Sequence, residues 1–225
     1  MTTYIIALIA CFALCYLMGS VIFGIIISKA ATGKDVRKSG SGNAGATNVM
    51  RTVGVAPAIL TFVCDAVKCA VSLLISKYFI LIPIASKIAV PDMLSIEYMQ
   101  YLLGFFAMLG HSYPIFFKFK GGKAVSSAVG VMLCINWQVA VFVLLVFAVC
   151  VALTRIVSLG SILGAVQFVV LSFVYSMGNT PLMRLYITLL ALPIGLLVIL
   201  RHTENIRRLL KGEETPIKPK KSEDK

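Results

Sequence analysis

The sequence is poor in charge. Asp, Glu, Lys and Arg make up 13% of its 225 residues, against about 25% in a soluble domain, while 59% are apolar. That balance excludes a water-soluble globular fold. Acidic residues are the scarcer sign, nine against 21 Lys and Arg, for a net charge of +12. Histidine occurs twice, as His111 and His202, and tryptophan once. The six cysteines lie in or beside apolar runs and form neither a C-x-x-C pair nor a Cys/His cluster at metal-ligand spacing. This argues against a disulfide scaffold, a redox centre and a metal site, so no metal or cofactor is expected.

What the sequence has instead is long uninterrupted apolar runs, and about 18 such residues suffice to cross a bilayer as a helix. The first, Tyr4 to Ser28, has no basic residue before it and is followed at once by Lys29, Lys34, Arg37 and Lys38. A cleaved signal peptide has the opposite polarity, so this run is expected to stay as the first membrane helix, its amino terminus outside. Gly19, Ser20 and Gly24 within it read as helix-packing residues. Further runs follow at 55–83, 96–117, 159–177 and 185–200. The charge-free stretch 124–153 is too long for one span, and Asn136-Trp137-Gln138 near its middle predicts two helices joined by a tight turn, the first short, with both a buried and an incompletely spanning placement open to it.

Seven segments put loops 29–54 and 118–123, Arg155 and the tail 201–225 on one side, together carrying 17 of the 21 basic residues. Six would place the basic tail opposite the basic loops. The positive-inside bias therefore favours an all-α integral membrane protein of about seven helices with a cytoplasmic carboxyl terminus. Residues 1–210 are expected to form one polytopic membrane domain and 211–225 a polar basic tail, with Lys218–Lys225 serving topology alone. The basic excess fits anionic lipid headgroups, and nucleic acid is not an expected partner.

Three polar patches fall on that one side. The first is Ser41-Gly42-Asn43-Ala44-Gly45-Ala46-Thr47-Asn48, followed by Arg51. Glycines let a backbone approach an anion, Ser, Thr and Asn add short donors, and Arg adds a bidentate fork for phosphate. The same string also reads as a flexible turn. The second runs from Gly110-His111-Ser112-Tyr113-Pro114 into Lys118-Phe119-Lys120-Gly121-Gly122-Lys123-Ala124. It fails the nucleotide-binding P-loop pattern, because Phe117 stands where a glycine is needed and Ala124 where Ser or Thr is. Glycine amides and lysines at a helix start still make an anion site, or else a basic interfacial anchor. The third patch, Arg201 to Glu214, puts His202 and Asn205 one helical turn apart and sets Ile206, Leu209 and Leu210 in an apolar stripe. Asp65 and Lys68, at i and i+3 within the second run, read as a self-neutralising structural pair.

Taken in order, SGNAGATNVMR, GHSYPIFFKFKGGKA, TRIVSLGS and RHTENIRRLLKGEE resemble the signature motifs of the bacterial membrane acyl-phosphate:glycerol-3-phosphate acyltransferases. The resemblance implies a seven-helix inner-membrane enzyme with its active site on the cytoplasmic face. It makes His202 and Asn205 the catalytic pair, with Ser41 beside them. Asn43, Thr47, Arg51, Lys120, Gly121, Gly122, Lys123, Ser158 or Ser161, and His111 become substrate-binding positions, and Glu214, with Asp65 and Lys68, structural ones. The sequence departs from the motifs at Ala44, where the family usually has Pro, and at Ala124, where it usually has a third glycine. The implied partners are acyl phosphate, glycerol 3-phosphate, membrane lipid and the enzyme that makes the acyl phosphate.

The chemistry so implied is transfer of a fatty acyl group to the 1-hydroxyl of glycerol 3-phosphate, the first step of phospholipid synthesis. Arg51, Lys120, Lys123 and Arg201 would offset the charge of two phosphates. The H-x4-D pair of soluble-type glycerolipid acyltransferases is missing, since Phe116 follows His111 and Arg207 follows His202 at that spacing. The proton of the hydroxyl would pass to His202 or to a substrate phosphate oxygen. The alternative is a small transporter of phosphorylated metabolites, which would require broken helices or polar groups deep in several segments.

Overall fold

A computed structural model describes residues 1–217, so the expected role of Lys218–Lys225 lies outside the described residues. Among the described residues the chain is all helical, and six of its helical stretches are long and apolar enough to cross a membrane.

The first of these is broken. Helix α1 (Thr2–Gly19) ends before α2 (Phe23–Thr32) begins, which corrects the expectation of one continuous helix over Tyr4 to Ser28. A break inside a membrane is tolerated only where its freed backbone groups find partners. Here Lys68 Nζ donates to the Val21 carbonyl, and the Phe23 amide lies 3.5 Å from Asp65 Oδ1. The structural pair of the second run therefore completes the first.

A loop carrying the short helix α3 (Ala46–Thr52) leads to α4 (Val55–Leu74), which continues through a π-helical stretch, Ile75–Leu81, into α5 (Ile82–Ala85). Helix α6 (Ile96–Ser112) returns the chain to the side of the first loop. Helices α7 (Val125–Ile135) and α8 (Trp137–Thr154) meet at Asn136, whose side chain accepts from the Val139 amide at 3.1 Å and caps α8. The turn expected there is present. With 11 residues α7 extends about 16 Å, roughly half the hydrocarbon thickness. Helices α9 (Val157–Tyr175) and α10 (Pro181–Leu200) complete the bundle, and α11 (Thr203–Leu210) follows after a turn at Arg201-His202.

The main helix pairs are α1 with α6, α4 with α7, α8 with α9 and α9 with α10. Lipid offers no hydrophobic drive for such pairing, so contact rests on close approach at small residues. A Cβ on Gly110 would lie 2.1 Å from the Tyr16 carbonyl oxygen, and one on Gly130 2.0 Å from that of Ala66. Glycine is required at both crossings. Gly19 and Gly24, expected to pack closely, meet the carbonyls of Ala107 and Ala44 in the same way.

Candidate active site

The three polar patches converge at one end of the bundle, each held by its own buried scaffold. In the first loop Asn48, buried in α3, accepts from the Ser41 amide at 2.9 Å and shares its Nδ2 hydrogens among the carbonyls of Val36, Ser39 and Asn43. This one side chain shapes the glycine-rich string. Asn43 Oδ1 accepts from the Gly45 amide at 2.9 Å, closing an Asx turn just before α3.

Arg37 joins the first loop to the second. It pairs with Asp35 at 2.7 Å and donates to the carbonyls of Phe117 and Lys120 at 3.2 and 3.0 Å. The hydrogen bonds from Arg37 hold the Asp35 carboxyl below its ordinary value.

The second loop turns sharply, with Lys118, Phe119 and Ala124 all at positive φ. Ala124 occupies the left-handed region at φ 58°, a conformation glycine adopts without strain. The Gly122 amide donates to the His111 carbonyl at 3.1 Å, and Arg201 donates to the carbonyls of Gly121 and Gly122 at 3.4 and 3.1 Å. The expected anion-binding role of the glycine pair is thus narrowed. The Gly122 amide and the Arg201 guanidinium are used inside the protein, and Gly121, Gly122 and the exposed Lys120 do not line the cleft. What the loop delivers is Lys123 and the start of α7.

The third patch closes the site. His202 and Asn205 are 2% and 6% exposed. Lys123 Nζ donates to Asn205 Oδ1, and Asn205 Nδ2 donates to Glu214 Oε1 at 2.7 Å. Glu214 also accepts from Ser158 Oγ at 2.8 Å and from Arg208 Nε at 2.7 Å. The segment after Leu210 therefore folds back on α9 and α11. The Thr215 carbonyl accepts from Arg51 at 3.2 Å, and the Ile217 amide donates to the Arg155 carbonyl at 2.8 Å.

These contacts frame a cleft of about 1400 Å³, its open mouth included. Ser41, Asn43, Thr47, Arg51, His111, Lys123, Ser158, Ser161, His202, Asn205 and Glu214 all line it, so most of the expected site residues come together. Both Ser158 and Ser161 reach the wall, Ser158 tied to Glu214 and Ser161 to the Val157 carbonyl. Asn48, Ser126 and Arg208 also line the cleft, although none of them is among the site residues that the motifs imply. Phe62, Phe147 and Val151 form an apolar wall. Beside it lies a second, half-open apolar groove of about 530 Å³, its open side included, lined by apolar and small residues with Ser161 as its one polar side chain, and it shares Phe62, Val125, Phe147 and Ser161 with the cleft. Among the described residues no three His, Cys, Asp or Glu side chains converge as a metal site would require.

Burial sets the protonation of the cleft. Loss of solvent, with Arg208 nearby, pushes the Lys123 ammonium down to about 8. Burial also pushes His202 down to about 4, although its hydrogen bond to the Val198 carbonyl opposes this. That bond, 2.7 Å from Nδ1, places the proton on Nδ1 and leaves a lone pair on Nε2. Burial works to raise the Glu214 carboxyl, but the donors on Asn205, Arg208 and Ser158 bring it below its ordinary value.

Residues 9–212 match a family model described as glycerol-3-phosphate acyltransferase. Proteins named glycerol-3-phosphate acyltransferase from Prochlorococcus marinus (strain NATL1A) and Bartonella henselae are each 38% identical, covering 90% and 96% of this chain and 94% and 92% of their own lengths. Among solved structures, PlsY, an integral membrane glycerol 3-phosphate acyltransferase, aligns in its glycerol 3-phosphate form with a TM-score of 0.78 at 36% identity, over 94% of this chain and 96% of its own. Its lysophosphatidic acid form aligns with a TM-score of 0.74 at 34% identity, over 93% of this chain and 94% of its own.

Proposed function

The chain belongs to the glycerol-3-phosphate acyltransferase family of integral membrane enzymes of phospholipid synthesis, and from this premise we propose that its acyl donor is a long-chain acyl phosphate. The acyl group passes to the 1-hydroxyl of glycerol 3-phosphate, giving lysophosphatidic acid and inorganic phosphate. The observation that carries this reading is the composition of one cleft. Arg51, Lys123 and Arg208 line it against the single carboxylate of Glu214, beside an apolar wall that leads into an apolar groove. Two phosphates need several cations in a partly desolvated space, and an acyl chain needs the apolar side.

Glycerol 3-phosphate enters from the polar mouth, and Arg51, Ser41 and Thr47 supply its phosphate with donors. The donor's phosphate lies against Lys123 and the start of α7, its chain directed past Phe62 and Phe147. The 1-hydroxyl oxygen attacks the acyl carbon, a C–O bond forms, and the bond from that carbon to the phosphate oxygen breaks. His202, neutral and carrying its lone pair on Nε2, accepts a hydrogen bond from the hydroxyl and aims it. A side chain at about 4 is a weak base, whereas a phosphate dianion takes up a proton with a pKa of about 6. The hydroxyl proton therefore ends on phosphate, which is also the leaving group and needs little acid help.

The crowding of basic residues on the loops of the cleft supports a cytoplasmic active site and a multi-pass place in the bacterial inner membrane, with the amino terminus outside. The transport alternative gains the broken first span, the π-helical stretch and the half-length α7 from the structure, but the break is filled by Lys68 and Asp65 and the cleft ends against an apolar groove. The test is turnover of purified protein in lipid, read as phosphate release dependent on both substrates. His202→Ala and Arg51→Ala are each expected to lower kcat/KM at least about 100-fold, a loss of some 2.7 kcal/mol of transition-state stabilisation. Near-normal turnover in either variant would show that the cleft is not the reaction site.

A further inference from the structure

The two histidines of the chain both line the cleft, and their ring nitrogens are held in opposite ways. His202 gives its Nδ1 hydrogen to the Val198 carbonyl at 2.7 Å. His111 Nδ1 instead faces Lys68 Nζ at 3.0 Å. An ammonium has donors and no lone pair, so His111 Nδ1 must accept, and its hydrogen sits on Nε2. Lys68 uses its three hydrogens fully, on the Val21 carbonyl, on Asp65 Oδ1 at 2.7 Å and on His111. Asp65 Oδ1 lies farther from His111 Nδ1, at 3.6 Å, than Lys68 Nζ does at 3.0 Å, so the ammonium is the nearer partner of that nitrogen.

We propose that Asp65 and Lys68 are positioning residues that fix His111 as an Nε2–H donor to a substrate phosphate oxygen in the cleft. The tautomer decides the sign of the contact. An N–H at this point attracts an anionic oxygen, and a lone pair there would repel it. Among the described residues the one hydrogen bond of the His111 ring is at Nδ1, and Nε2 is not one of the buried polar atoms left orphaned. It lies directly beneath Gly122, where an added Cβ would be 2.2 Å away, and the His111 carbonyl holds the Gly122 amide. The same residue thus seats the turn that presents Lys123. The buried pair serves the site, besides repairing the break in the first span. The two histidines divide the work: His111 offers a hydrogen to phosphate, and His202 offers a lone pair to the hydroxyl.

The identity of the anion rests on the acyltransferase reading, whereas the tautomers do not, so the test has two independent parts. With two histidines in the chain, 15N-histidine labelling gives two assignable imidazoles, separated by comparison with His202→Ala. In the wild-type protein one ring is expected to carry its proton on Nε2 and the His202 ring on Nδ1. In the paired variant Asp65→Asn/Lys68→Met, which leaves no buried charge, the His111 ring is expected to lose its single tautomer while His202 is unchanged. The KM for glycerol 3-phosphate or for the donor is expected to rise about tenfold with kcat within about threefold, the loss of one charge-assisted contact. A wild-type His111 with its proton on Nδ1 would overturn the proposal, even were the paired variant not to fold. So would an unchanged His111 tautomer or an unchanged KM in the folded variant. Absence of any turnover in the wild-type protein would instead count against the acyltransferase reading.

Discussion

Lys123 donates through Nζ to the side-chain oxygen of Asn205, joining the glycine–lysine loop to α11 across 82 positions of sequence. Asn205 passes the contact on to Glu214, and Glu214 to Ser158 and Arg208. Four elements of the cleft thus share one hydrogen-bonded chain, and such chains respond as a unit when a member is removed.

Glu214 should behave as the clasp of that chain. Its folded pKa is below the ordinary 4.5, so its contribution to stability is complete above that value and disappears as pH falls through the lower folded one. Thermal unfolding in detergent should show wild type more stable than Glu214→Gln at neutral pH, with the gap closing as pH falls below the ordinary carboxyl range. The variant should also lose at least about tenfold in kcat/KM, as Asn205 and Arg208 lose their shared acceptor.

Lys123 stands at about 8 in the free protein, partly deprotonated just above neutrality. A bound phosphate favours the charged form, so binding at about pH 8.5 should take up a proton. Calorimetry of glycerol 3-phosphate or donor binding in buffers of different ionisation enthalpy would reveal that uptake. It should vanish in Lys123→Arg, which is charged throughout.

Much of this was legible in the sequence, and the exceptions have physical causes. Run lengths and cation placement revealed the membrane helices, and Asn136 marked the α7–α8 turn because an Asn amid apolar residues has little to do but cap. The break at Ser20–Ile22 was hidden, since its remedy, Asp65 and Lys68, lies over 40 residues away. Lys120 looked equivalent to Lys123, yet one faces solvent and the other the cleft, a difference set by the left-handed turns at Lys118, Phe119 and Ala124. Arg37 reads as an ordinary loop residue and Asn48 as one more short donor of the first patch, because their work is on distant or backbone carbonyls that no side-chain pattern records.

Ala124 is held at φ 58° with its side chain fully buried. Ala124→Gly should relieve the left-handed strain and raise stability by about 1 kcal/mol, seen as a higher Tm without loss of the fold.

Gly130 packs α7 against α4, and a Cβ there would sit 2.0 Å from the Ala66 carbonyl. Gly130→Ala should cost about 1–3 kcal/mol by forcing the helices apart. Gly178→Ala, where nothing lies within 4 Å, should leave Tm nearly unchanged. Melting both variants side by side checks the contrast.

The central claim is a cleft built for two phosphates, and the choice of donor tests it most directly. Purified protein in lipid, given glycerol 3-phosphate and either an acyl phosphate or the matching acyl thioester, should make lysophosphatidic acid from the acyl phosphate with one phosphate released per product. Product from the thioester alone, or from neither donor, would contradict the account.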